Sequence, residues 1–132
     1  MSRSFESTPS PVVTSTTEAV VNWRASGATG GGHQEDRIAV SRADDSLAFY
    51  VENQDGAITI TAQVYGLMNK TDAPLTKGVP MLATARACVA GERAAILLAP
   101  PSTAMPFYAL GLDAASGAPT ARCFCTVKSP GE

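Results

Sequence analysis

A chain of 132 residues can bury a core of its own as one domain, without disulfides or a metal ion as staples. Ten Lys and Arg, scattered among twelve Asp and Glu, leave a net charge of -2 and no basic face, which argues against nucleic acid as a partner. Only 17% of the residues are charged, against about a quarter in a typical globular chain, so part of the usual solvated surface is missing.

Residues 1–17 open the chain as an extended arm. Eleven of residues 2–17 are Ser, Thr or Pro, with no helical or strand period, and Phe5, Val12 and Val13 are the only apolar side chains beyond Met1. This start lacks the apolar run of a signal peptide, so synthesis in a cytoplasm and reduced thiols are expected. A single β domain is expected over residues 18–132. Its first strand reads as Glu18 to Ala25, followed by the glycine-rich loop from Ser26 to His33 and a short strand from Arg37 to Arg42.

The strongest local signal runs from Ser46 to Tyr65. Leu47, Phe49 and Val51 alternate with Ala48, Tyr50 and Glu52, and Ile58, Ile60, Ala62 and Val64 alternate with Thr59, Thr61, Gln63 and Tyr65. Period-two alternation marks half-buried strands, and the intervening Asp55-Gly56 spells a tight hairpin turn. Residues 66–78 read as a surface loop. Residues 79–89 fit either a helix or a strand by spacing, and the Gly91-Glu92 turn before Arg93 to Leu98 favours strands. Phe107 to Leu112 and Thr120 to Lys128 read as a last strand pair. Its alternation sets Ala121, Cys123 and Cys125 on one apolar face and Arg122 and Phe124 on the other. Some eight short strands at this spacing predict an all-β fold, a small antiparallel sandwich or barrel.

Motifs that carry chemistry are weak. Gly27 to Gly32 approaches a phosphate-binding loop, but His33 stands where the lysine is required and Gln34 where the magnesium hydroxyl is required. His33, Glu35 and Asp36 could seed a metal site, yet the chain has one histidine and the cysteine spacing is not that of a zinc site. Cys88, Cys123 and Cys125 read as small buried thiols. Asp44, Asp45, Glu52 and Asp55 could pair as glycosidic carboxylates, although acidic residues beside strands are usually solvated turn formers. Asn69-Lys70-Thr71 spells a glycosylation sequon without a secretion signal, and nothing is assigned to it. No catalytic residue, cofactor or metal is expected, and the oiliest run, Ala94 to Ala99, is far short of a membrane span.

From Ala94 to Ala121 the only charge is Asp113, whereas Ile96, Leu97, Leu98, Met105, Phe107, Tyr108, Leu110 and Leu112 are apolar. Part of this segment is expected to face another chain, with Phe5, Val12, Val13, Met105, Phe107 and Tyr108 as the partner-binding residues. An uncharged Ser/Thr/Pro arm on a small Ala/Gly/Thr-rich β domain resembles the capsid decoration (cement) proteins of tailed bacteriophages. LTKGVPML (Leu75 to Leu82) and LGLDAASGAPTARCFCTV are similar in style to the strand turns of that group. The resemblance implies a non-enzymatic structural protein of the virion, made in the host cytoplasm and placed on the capsid surface. It implies a small homo-oligomer, a trimer by preference, bound to the major capsid protein or another virion protein. Such a protein attaches through its N-terminal arm and needs neither nucleic acid nor membrane. The rivals are a head-completion or tail protein and a carbohydrate-binding or adhesive β-sandwich module.

Overall fold

Two antiparallel sheets packed face to face form the computed structural model, which describes residues 2–8, 11–25, 35–40, 44–100 and 105–130. Sheet A contains β1 (Ser2–Ser7), β2 (Val12–Val13), β4 (Trp23–Ala25), β6 (Ser46–Asn53), β10 (Arg93–Leu98) and β12 (Thr120–Lys128). Sheet B contains β3 (Ala19–Val20), β5 (Ile38–Ala39), β7 (Ile60–Leu67), β8 (Val79–Pro80), β9 (Arg86–Cys88) and β11 (Phe107–Ala114). The protein is thus an all-β sandwich, with one helical turn, α1 (Pro74–Lys77), in the connection after β7.

Sheet A runs in the order β10-β6-β12-β1-β4, with β2 continuing the β1 side of β12. In sheet B, β11 and β7 pair along their whole length. Short strands flank them, β3 and β5 beyond β11, β8 and β9 beyond β7. The inward faces meet in one core. Phe49, Val51, Cys123, Cys125 and Val127 of sheet A close against Ile60, Val64, Tyr108, Leu110 and Leu112 of sheet B. Trp23 packs on Phe49 with ring centroids 5.7 Å apart.

The N-terminal segment departs from the expected arm. It is extended, but β1 lies inside sheet A, bonded to β12 on one side and β4 on the other. Ser7 is buried, and its hydroxyl accepts the Cys123 amide at 3.1 Å. Val12 and Val13 pair with Ala121 and Thr120, and Thr14 donates both its amide and its hydroxyl to the Pro119 carbonyl. Sparse apolar side chains understate what orders this segment. The hydrogen-bonded ladder of its own domain supplies the partners that an isolated extended chain lacks.

The central hairpin is also corrected. β6 and β7 are both present, but they belong to opposite sheets, and residues 54–59 arch from one to the other. Asn53, buried at the top of β6, donates its amide to the carbonyls of Ile58 and Cys88 and accepts from the Asp55 amide. One carboxylate oxygen of Asp55 accepts the amides of Ala57 and Ile58. Asp55 therefore shapes the arch with its side chain rather than with a left-handed backbone, and Gly56 does not have a positive φ. In the same way, β11 and β12 do not pair with each other, and the expected first strand divides into β3 in sheet B and β4 in sheet A.

Candidate functional site

Opposed residues of an antiparallel ladder share a face, so the pairing register lays out the outer surface of sheet A row by row. One row reads Arg93–Glu52–Arg122 across β10, β6 and β12. The next reads Ala95–Tyr50–Phe124–Glu6–Arg24, ending on β1 and β4. A third reads Leu97–Ala48–Thr126–Ser4. Charges hold the margins. Arg93 Nε lies 3.3 Å from Glu52, Arg24 Nε lies 3.3 Å from Glu6, and the Arg122 guanidinium sits 5.2 Å from the Phe124 ring centroid. Between them the surface is apolar, and Tyr50 divides it into two open grooves. One, of about 670 Å³, is lined by Ser4, Glu52, Arg93, Arg122 and Phe124, and the other, of about 580 Å³, by Ala48, Leu97, Ala99 and Thr126. Leu97 is 72% exposed and Tyr50 40%.

The outer face of sheet B is closed by its own chain. Gln63 donates to the Leu82 carbonyl and accepts the Leu82 amide, which straps residues 81–82 along the edge of β7, where Met81 and Leu82 pack against the core. The Tyr65 hydroxyl donates to the Glu18 carboxylate at 2.8 Å, and the two side chains cover Gly111 of β11. Burial, and then the Glu18 hydrogen bond, push the Tyr65 phenol up to about 12. This cover explains how a segment almost without charge is accommodated. Tyr108, Leu110 and Leu112 fill the core, while Ala109 and Gly111 lie under the Tyr65–Glu18 lid.

The six residues expected to bind a partner are not gathered on one surface. Tyr108 is wholly buried, and its hydroxyl accepts the Met105 amide at 3.0 Å, so that assignment is corrected. Phe5, Val12 and Met105 are half-buried and pack against the core, and Phe107 is half-buried at the start of β11. Only Val13, 60% exposed beside Thr120, is presented to solvent. The residues of the open face, Tyr50, Ala95, Leu97, Arg122 and Phe124, lie outside that expected set. One signal for them exists in the sequence, since Leu97 is an apolar residue out of phase with the inward series Ala94, Ile96 and Leu98.

The candidate carboxylates do not converge. Asp45 accepts the Ser129 hydroxyl at one end of β6, Glu52 meets Arg93 at the other, and Asp55 is committed to the arch. The glycine loop and His33 lie outside the described residues. Among the described residues, no group of three His, Cys, Asp or Glu could hold a metal ion, and no helix is long and apolar enough to cross a membrane. All three cysteines are free and buried, with Cys123 and Cys125 on the inner face as the alternation requires. Burial pushes the Cys123 thiol up to about 12 and raises those of Cys125 and Cys88.

No family model matches this chain, and no curated protein matches it. A solved structure described as that of infectious bursal disease virus, Gx strain, is similar with a TM-score of 0.42 and 11% identity. The alignment covers 100% of this chain and 34% of that one, so the present chain spans about a third of its length. At that score the likeness carries no argument about function.

Proposed function

We propose that the chain is a non-enzymatic structural protein of a virion, a capsid decoration protein that lays the outer face of sheet A on the major capsid protein or another virion protein. The observation that carries this reading is the open apolar face itself. Leu97, Ala95 and Tyr50 form its surface, with Ala48 buried beside Leu97, on a chain with few charges. Desolvated apolar rows framed by paired charges are the usual anatomy of a protein interface, where Tyr and Arg are enriched. Attachment runs through this face and not through an arm, because residues 2–7 and 12–14 are already bonded within their own domain. The protein acts as a homo-oligomer on the capsid surface and needs no cofactor, nucleic acid or membrane.

The test is made on particles of the virus that encodes the chain, purified by density gradient. They should carry the chain in fixed proportion to the shell protein. Particles lacking it should release their genome at a lower temperature. Purified particles without the chain would sink the reading, and a chain carried at only a few copies per particle would assign it to head completion or a tail instead.

One observation favours a second reading, a carbohydrate-binding module. Tyr50 and Phe124 stand side by side in a groove bordered by Glu52, Arg93 and Arg122, a combination that offers a ring to stack on and polar groups to orient a sugar. Binding on a glycan array that is lost in Tyr50→Ala would replace the capsid reading with this one.

A further inference from the structure

We infer that the free edge of β10 is a self-association site, at which β10 of a second copy pairs antiparallel and joins two copies of sheet A into one continuous sheet. The inference goes beyond the virion reading and does not depend on it, because it rests on the edge alone.

Among the described residues, β10 bonds to β6 and to no other strand, and the amides and carbonyls of its far side meet no strand there. Other edges are short. β4 has three residues, and its far side is bridged by Glu35, while the edges of sheet B are broken into strands of two or three residues. β10 has six residues in unbroken register, Arg93 to Leu98 against Glu52 to Leu47, with no bulge. The devices that usually blunt an edge are missing. After Arg93 the strand has no charge on either face, and no proline comes before Pro100.

The strand's own chemistry selects the second copy as the occupant. Its single charge, Arg93, stands at one end beside Glu52. Antiparallel pairing about a two-fold axis sends the two Arg93 side chains to opposite ends of the ladder, whereas parallel stacking would set them side by side. With Ile96 opposite its own copy, Ala95 faces Leu97 of the second molecule and Arg93 faces Ala99. Inward residues then oppose inward residues, so both cores stay on the same side of the joined sheet. A shift of one residue would turn one sandwich over. The register also matches a large side chain to a small one. Leu97, the most exposed large apolar residue described, falls on the shelf left by Ala95, next in its row to Tyr50 and Phe124. The result is a twelve-stranded sheet, six strands from each copy, whose outer apolar strip is doubled in width.

Sedimentation of the full chain tests the inference. The protein should have the mass of two protomers at about 100 µM and dissociate on dilution. Leu97→Lys together with Ala95→Lys opposes like charges across the axis and should yield a monomer, with association weakened at least about a hundredfold. Both positions are exposed, so circular dichroism should be unchanged. A second variant, Ala95→Cys with Leu97→Cys, should form interchain disulfides between 95 and 97, read by mass spectrometry of peptides. A wild-type monomer at that concentration, a mass of three protomers, or a lysine variant that stays paired overturns the inference. None of these outcomes bears on whether purified particles contain the chain.

Discussion

Gly91 and Gly117, with φ of 74° and 66°, are the glycines whose backbone asks for glycine among the described residues. Gly117→Val should destabilise by more than about 1 kcal/mol, since a β-branched residue resists that conformation and a Cβ there would meet Ile58 Cδ1 at 2.9 Å. Gly56→Ala should shift stability by no more than about 0.5 kcal/mol, because its φ is ordinary and nothing lies within 4 Å of the added carbon. Chemical denaturation of the two variants checks both. Buried thiols make a second residue-scale prediction. Cys123 releases its proton near 12 when folded and near 9.0 when unfolded, so between those values unfolding sheds a proton and rising pH favours the unfolded chain. Cys125 and Tyr65 shift in the same direction. The denaturation midpoint should therefore hold below about pH 9 and fall from there towards pH 12. A midpoint still level at pH 11 would contradict the burial of these groups. At neutral pH, alkylation of Cys123 and Cys125 should be slow in the native protein and fast in denaturant.

At the scale of elements, β1 and the arch after β6 carry the sharpest expectations. Deleting residues 2–7 removes the strand between β12 and β4, bares the edge of β12 and uncovers the side of the core where Phe5 packs, so cooperative unfolding should be lost. A truncated chain that melts with the parent would return these residues to the status of a free arm. Asn53→Ala strands the Ile58 and Cys88 carbonyls in a buried site and should cost about 2 kcal/mol or more, measured by denaturant unfolding. These two elements also show where the sequence could be read. Strands were legible at β6, β7, β10, β11 and β12, because alternation reports that one face of a segment is buried. It does not report which sheet buries that face, so β6 with β7, and β11 with β12, look like hairpins on paper and are arches in the molecule. Asp55-Gly56 has the spelling of a tight turn, but the turn is made by the Asp55 carboxylate. At β1, Ser and Arg conceal a strand whose inward positions are Arg3, Phe5 and the hydroxyl-bonded Ser7. The open face was legible only at Leu97, since Tyr50 and Phe124 alternate as any outward residue would.

At the scale of the whole molecule, the open face of sheet A and the closed face of sheet B give the protein a polarity. One side is finished by its own chain, and the other is left open. The Tyr65–Glu18 lid covers the first side, whereas ion pairs and the Arg122–Phe124 contact stand on the second. The same molecule has a consequence in time. Eight of the eleven steps between consecutive described strands change sheet, so pairing partners are distant in sequence, and β12, which holds β6 on one side and β1 and β2 on the other, follows all of them in chain order. Sheet A therefore has no middle until residues 120–128 have been synthesised. A nascent chain halted at residue 119 would hold β6 and β1 with the strand that joins them absent, and it should remain bound by chaperones or be degraded. Release of the completed chain should start a slow search, with refolding in milliseconds to seconds, as is usual for chains dominated by non-local pairing.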